Sequence, residues 1–338
     1  MSTRGWRNVV CSVALASIAS LPACNSPENR GEARFSGSSA PAATPSVPSS
    51  AAPVPSAAPV PETPAPEAAA EPEPLPPVAA VYPWAPTAGP NDRLDARFRD
   101  PPPGFVRVKT EPGSFAEFLR SLPLKPEGAL VVDHRGAPLY DQGRHANIAA
   151  VVDIDVGTKD LQQCADSVIR MHAEWRYGRG DRDLSYRAVS GQALSYRGYV
   201  QGERAVLDGK NLVLRRVAAP KKDDHALFRA WLDEVFAWAG TASLERDAKK
   251  VDLRDVRGGD FFVMSGSPFG HAVLVLDVAK DAGGRLALLL GQGFMPAQSF
   301  HVLRPGADAS PWFVVEPNAT EVATPFWRPF PTTSLRRF

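Results

Sequence analysis

The chain has 338 residues, a formal net charge of +1 and 34 prolines, long enough for two domains. So balanced a charge points to no particular partner. The absence of a basic stripe with interleaved aromatics excludes a nucleic-acid-binding reading.

Residues 1–23 have the form of an export signal: Arg4 and Arg7, an apolar run from Val9 to Ala19, then "LPAC". The run is too short for a stable membrane span. "LPAC" resembles the bacterial lipobox, which implies cleavage before Cys24 and lipid attachment to it. Pro22 is unusual before the small residue, and an ordinary cleaved signal with a chance cysteine is the alternative. Asn25 stands where an aspartate retains many lipoproteins in the inner membrane, so the expected place is the outer membrane, facing the periplasm. The expected partner there is the membrane itself, through the lipid. Residues 24–97 follow as a tether. Between Pro41 and Pro90, sixteen of fifty residues are proline and fourteen alanine, a composition that cannot pack a core and favours extended conformations. At roughly 3.1 Å per residue its contour approaches about 150 Å. Cys11 leaves with the signal and Cys24 carries lipid, so the folded part keeps one thiol, Cys164. Such a thiol is either buried and inert or functionally reactive.

The pattern after Phe98 predicts one α+β domain over 98–330, with helices packed on an antiparallel sheet, and a tail over 331–338. "GFVRV" from Gly104 reads as a short strand. "GSFAEFLRSLPL" reads as a helix capped by Ser114, with Phe115, Phe118 and Leu119 inward. "ANIAAVVDIDV" is an apolar strand ending near Val156. A helix over 161–177 buries Leu161, Cys164, Ala165, Val168, Met171 and Trp175, with Asp160 and Gln163 as its capping box. His172 falls off that face and is expected at the surface. Asp153, Asp155 and Asp160 lack the spacing of a calcium loop. Irregular β structure covers 184–217. "DDHALFRAWLDEVFAWAG" is a helix capped by Asp224 and stopped by Gly240, and a short helix follows from Ser243. The strands "FFVMSG", "HAVLVLDVA" and "RLALLLGQG" come next, the last two joined by the turn "KDAGG". Trp312, Phe313, Phe326 and Trp327 either line a groove or pack across the sheet.

Three residues stand in the order that a thiol hydrolase requires: Cys164 on a helix, His271 opening a buried strand, Gln292 on the strand after it. A nucleophilic cysteine needs a helix N-terminus to favour thiolate, an imidazole within hydrogen-bond reach, and a polar group to orient that imidazole. Asp277 is six residues along the strand from His271, about 20 Å at roughly 3.3 Å per residue, too far to serve. A hairpin turning at Ala282 and Gly283 sets position 271 opposite 294, which makes Gln292 the diagonal neighbour. Gln298 is the weaker candidate. With Asp160 as the cap, however, Cys164 is the fourth helical residue, where the dipole effect fades. It also lies on the apolar stripe, so core packing and nucleophile both stay open. His134, His145, His225 and His301 show no metal-ligand spacing, and no cofactor or metal is expected.

The stretch "GGDFFVMSG…GHAVLVLD" resembles the Gly-Asp strand and Gly-His strand of CHAP and NlpC-type cell-wall amidases. Those enzymes are papain-like and cut peptide or amide bonds in peptidoglycan. The resemblance covers some forty residues, and implies a papain-like fold with peptidoglycan as partner. A wider resemblance runs through "GSFAEFLRSLPLKP", "DIDVGTKDLQQCADSVIRMHAEW", "VFAWAGTASL", "GGDFFVMSGSPFGHAVLVLDVA" and "QGFMPAQSFHVL…SPWF". Together these are similar to domain of unknown function 4846, a bacterial family of exported proteins and lipoproteins. That family supplies no activity, but Cys164, Asp166, His271, Gln292, Met295, Pro296 and Gln298 fall inside its motifs. Two functions are therefore expected in competition. One is a papain-like thiol hydrolase built on Cys164, His271 and Gln292. The other is a non-catalytic binding or scaffolding lipoprotein with a degenerate site.

Overall fold

The run from His271 to Ala279 is buried at every position, as only a strand covered on both faces can be. Its neighbours build outward from it. The computed structural model describes residues 82–84, 92–141, 144–307 and 309–338. The signal segment, Cys24 and most of the Pro/Ala-rich stretch lie outside the described residues.

In chain order the elements begin with α1 (Leu94–Arg97), β1 (Val106–Arg107), α2 (Phe115–Arg120), β2 (Ile148–Val151) and α3 (Cys164–Gly178). Two small hairpins follow, β3 (Ser185–Arg187) with β4 (Ala193–Ser195), and β5 (Glu203–Asp208) with β6 (Asn211–Arg216), with α4 (Tyr196–Val200) between them. Then come α5 (His225–Trp238), α6 (Thr241–Asp247), β7 (Lys249–Lys250), β8 (Phe261–Met264), β9 (His271–Lys280) and β10 (Leu286–Gln292). The chain finishes with β11 (His301–Leu303), β12 (Trp312–Val315), β13 (Glu321–Val322), β14 (Phe330–Pro331) and β15 (Leu335–Arg337).

The main sheet is antiparallel in the order β2-β11-β10-β9-β8-β15-β7, with β1 added to β9 and β12 to β10. The fold is α+β. Side chains alternate along β9, so Ala272, Leu274 and Leu276 face the helical core with α3 and α5. Val273, Val275 and Val278 face a second core under the C-terminal segments, with Phe313, Phe330 and Leu335. A β-bulge interrupts the alternation. The pairing runs Leu289↔Asp277 and then Leu290↔Val275, which puts Leu276 and Asp277 in succession on the helical side.

Local capping follows the chemistry of the sequence. Ser114 accepts from the Glu117 amide at 3.2 Å and Asp224 from the Leu227 amide at 2.9 Å, each satisfying a free first-turn donor. The start of α3 departs from expectation. Asp160 accepts from the Ala297 amide at 2.7 Å instead of capping. The helix starts after Gln163, whose amide is held by Asp166 at 3.1 Å. Cys164 is thus the first helical residue, not the fourth.

Both chain boundaries of the domain also shift. Leu94 is fully buried in the helical core. Residues 331–338, expected as a tail, contain a strand inside the sheet: β15 lies between β8 and β7, and Leu335 is fully buried.

Candidate functional site

Gly291 pairs with Leu274, a register that continues to 271 opposite 294 and leaves Gln292 diagonal to His271. The turn over Asp281–Arg285 by itself sets Leu286 opposite Lys280. The bulge removes one residue and brings the two side chains together. His271 Nε2 donates to Gln292 Oε1 at 2.8 Å. Gln292 Nε2 donates to His301 Nε2 at 3.4 Å, and His301 Nδ1 donates to the Ser299 carbonyl at 2.9 Å. With both imidazoles neutral, one assignment of protons satisfies all three contacts. It leaves His271 Nδ1 as a buried acceptor without a partner among the described residues. All three side chains are fully buried. Burial pushes both histidines down to about 4, against the opposing pull of the Gln292 bond at His271 and of the Ser299 carbonyl at His301.

An aromatic cover closes over this chain of bonds. Phe294 and Trp327 each lie 5.0 Å from the His271 ring, and Phe326 lies 6.1 Å from His301. Phe326 in turn packs on Tyr140, 5.5 Å away. Both of these residues have left-handed backbones, φ 71° and 59°, a conformation costing about 1–3 kcal/mol in a side chain of this size. The mutual packing of the two rings holds it.

Cys164 lies elsewhere. It belongs to the helical core, and its Sγ meets the Gly270 carbonyl at 3.8 Å. Ala272 shares that core and adjoins His271, so the His271 ring leaves the strand from the opposite face, toward Trp327 and Phe330. The structure brings His271 and Gln292 together and adds His301, but it does not bring Cys164 to His271. Burial and the neighbouring Asp166 push the thiol up to about 11, outweighing any help from the helix start. Asp166 is itself pushed up to about 8 by burial, one of its oxygens having no partner among the described residues. Gln298 is engaged by the Tyr140 hydroxyl at 3.3 Å, not by His271. Among the described residues no three His, Cys, Asp or Glu side chains gather to hold a metal ion.

A cleft of about 380 Å³ lies between β1, α2, α3, the turn before β8, and β15. Phe115, Trp175, His172 and Phe338 line it. His172 was expected at the surface. It is instead half-buried, its ring stacked on Phe338 with centroids 4.0 Å apart and its Nδ1 2.9 Å from the Tyr186 hydroxyl. Burial, with help from Arg176, pushes this imidazole down to about 3, so it is neutral at physiological pH.

The charges around the cleft are four cations, Lys109, Arg120, Arg257 and Arg337, against Glu111 and Asp260. Arg337 grips Asp260 through two bonds of 2.6 and 2.7 Å. Arg120 bonds Asp277 at 3.0 Å. Lys109 and Arg257 are exposed and have no ion-pair partner among the described residues. The glycines of "GGD" shape the floor. Gly259 has φ +95°, and a Cβ there would sit 2.5 Å from the Phe115 ring. Spacing along the sequence gives no sign of this cleft, because its walls come from five separated segments. The Gly-Gly pair was the only local signal, and its visible resemblance pointed to the strands after it.

No curated protein and no solved structure matches the chain. The family profile described as domain of unknown function (4846) matches residues 94–337. That span runs from α1 through the last paired residue of β15 and takes in the buried histidine chain and all of the cleft lining but Phe338. The chain belongs to this family.

Proposed function

We propose that the domain is a non-catalytic binding module carried by an envelope lipoprotein, anchored through Cys24 and facing the periplasm. One observation carries this reading: the only thiol of the domain, on α3, and the His271 imidazole lie on opposite faces of β9. Without an imidazole in reach, a thiol pushed up to about 11 is protonated at physiological pH and a poor nucleophile. The open cleft beside α3, with two cations unpaired among the described residues and a wall of rings, is where a ligand would bind.

Two observations favour the competing reading, a papain-like thiol hydrolase acting on cell-wall peptide or amide bonds. Cys164 is the first residue of its helix, and His271 is oriented by Gln292. That reading needs the imidazole on the helical face of β9, where Ala272 now stands, and the pair then working on peptidoglycan.

Alkylation of Cys164 by iodoacetamide against pH, beside His271→Ala, separates the two. Binding alone predicts slow alkylation of the native protein, unchanged in the variant, and fast reaction only after denaturation. A thiolate titrating well below about 8.5, and lost in His271→Ala, would overturn the binding reading in favour of the hydrolase.

A further inference from the structure

The chemistry of the cleft narrows what could bind there. Its volume of about 380 Å³ lies at the lower end of the range for small-molecule sites, on the order of 300–1,000 Å³. The size suits one compact ligand, not a polymer. Its apolar wall is ring surface: Phe115 and Trp175 lie 5.3 Å apart at 33°, and His172 stacks flat on Phe338. His172 adds a neutral ring to that wall, not a charge. Flat surfaces of this kind favour a planar partner, which gains contact area without ordering flexible bonds.

The cations divide into two sorts. Arg120 and Arg337 are committed to Asp277 and Asp260, and so hold the walls. Lys109 and Arg257 have no such commitment among the described residues and lie on two different wall segments. Glu111 on the rim is the one carboxylate of the lining that no arginine engages, so cations still outnumber it. An anion between Lys109 and Arg257 would be met from two sides, whereas a cationic ligand would face net repulsion.

We propose that this cleft binds a small anionic molecule with a planar ring, the ring lying against Phe115, Trp175 and Phe338 and the anion between Lys109 and Arg257. This rests on the binding reading above and gives it a ligand class.

The full-length protein can be titrated with two dyes that differ by one group. 1-Anilinonaphthalene-8-sulfonate carries a planar ring system and an anion; N-phenyl-1-naphthylamine lacks the sulfonate. The expected result is saturable binding of the sulfonate dye that weakens with rising sodium chloride. The Lys109→Ala/Arg257→Ala double variant should lose roughly tenfold or more in that affinity, as loss of charge-assisted contacts predicts, and keep its affinity for the neutral dye. Trp175→Ala should weaken both dyes, and Trp175→Phe should restore part of each. Both cations are exposed, so the double variant folds. Equal binding of the two dyes, with no effect of the double variant, would overturn the anionic class while leaving a binding cleft in place. Sulfonate-dye binding indifferent to Trp175 and to both cations would overturn the site itself. A reactive Cys164 in the alkylation experiment would overturn the binding reading independently of either dye.

Discussion

Asp260, in "GGDFFVMSG", shows how one residue's role depends on what it meets. The sequence pattern sets this aspartate at the head of the strand that precedes the one opened by His271. In the fold it is fully buried, is gripped by Arg337 and accepts the Arg257 amide at 2.9 Å. It therefore ties the C-terminal strand to the floor of the cleft. His271 answers to burial in the same way. With His271 and His301 held at about 4 in the native state and near 6.5 when unfolded, the unfolded chain takes up protons that the native state refuses as pH falls between those values. Each histidine therefore subtracts about 1.4 kcal/mol of stability per pH unit over that window. Asp166 works in the opposite sense. Held at about 8 against about 3.9 unfolded, it keeps a proton that the unfolded chain has released, and its contribution is lost as pH rises toward 8. Unfolding free energies from urea titrations at about pH 4.5 to 6.5 should thus fall less steeply with acid in His271→Asn, by about 1.4 kcal/mol per unit. Parallel curves would show that the imidazole is not protected from protons.

At the scale of elements, two irregularities decide where side chains meet. The bulge in β9 turns Asp277 to the helical side. There Arg120 of α2 bonds it at 3.0 Å and Arg107 of β1 approaches to 3.1 Å. Burial nevertheless pushes the Asp277 carboxyl up, against the pull of both arginines. This group joins α2 and β1 to the central strand. Replacing one partner of such a buried pair leaves the other uncompensated and costs roughly 3–5 kcal/mol. Asp277→Asn should lower the free energy of unfolding by about that much in urea titrations at neutral pH. A loss under about 1 kcal/mol would place the pair with ordinary surface bridges. The second irregularity is the late start of α3. Asp160 satisfies the Ala297 amide, a tertiary contact that outcompetes local capping, and Asp166 takes over the helix start.

The domain is a sheet between two cores, and the last strand belongs to the interior of that sheet. β15 bonds β8 on one side and β7 on the other. Phe338 packs on His172 and Phe261, dividing the cleft from a second cavity of about 250 Å³. A chain ending at Phe330 would uncover the edge of β8, strip the partner from Asp260 and join the two cavities. Such a truncation should fail to give a cooperative thermal transition, whereas a dispensable tail would leave the melting temperature unchanged.

Much of this was legible beforehand because local physics governs it. Ser114 and Asp224 cap their helices, "KDAGG" turns the hairpin, and nine buried positions in a row mark the central strand, so the α+β class follows from periodicity and turn chemistry. The sequence also named His271 and Gln292 as partners, but the turn and strand alternation alone would set Gln292 on the other face; the bulge in β9 makes the diagonal. What the pattern could not supply was that Cys164 and His271 take opposite faces of β9, because His271 belongs to the strand while Cys164 reaches it from α3. Nor could it show the cleft, whose residues share no spacing. Those depend on how α2, α3 and β15 settle on the sheet, a matter of packing between distant segments.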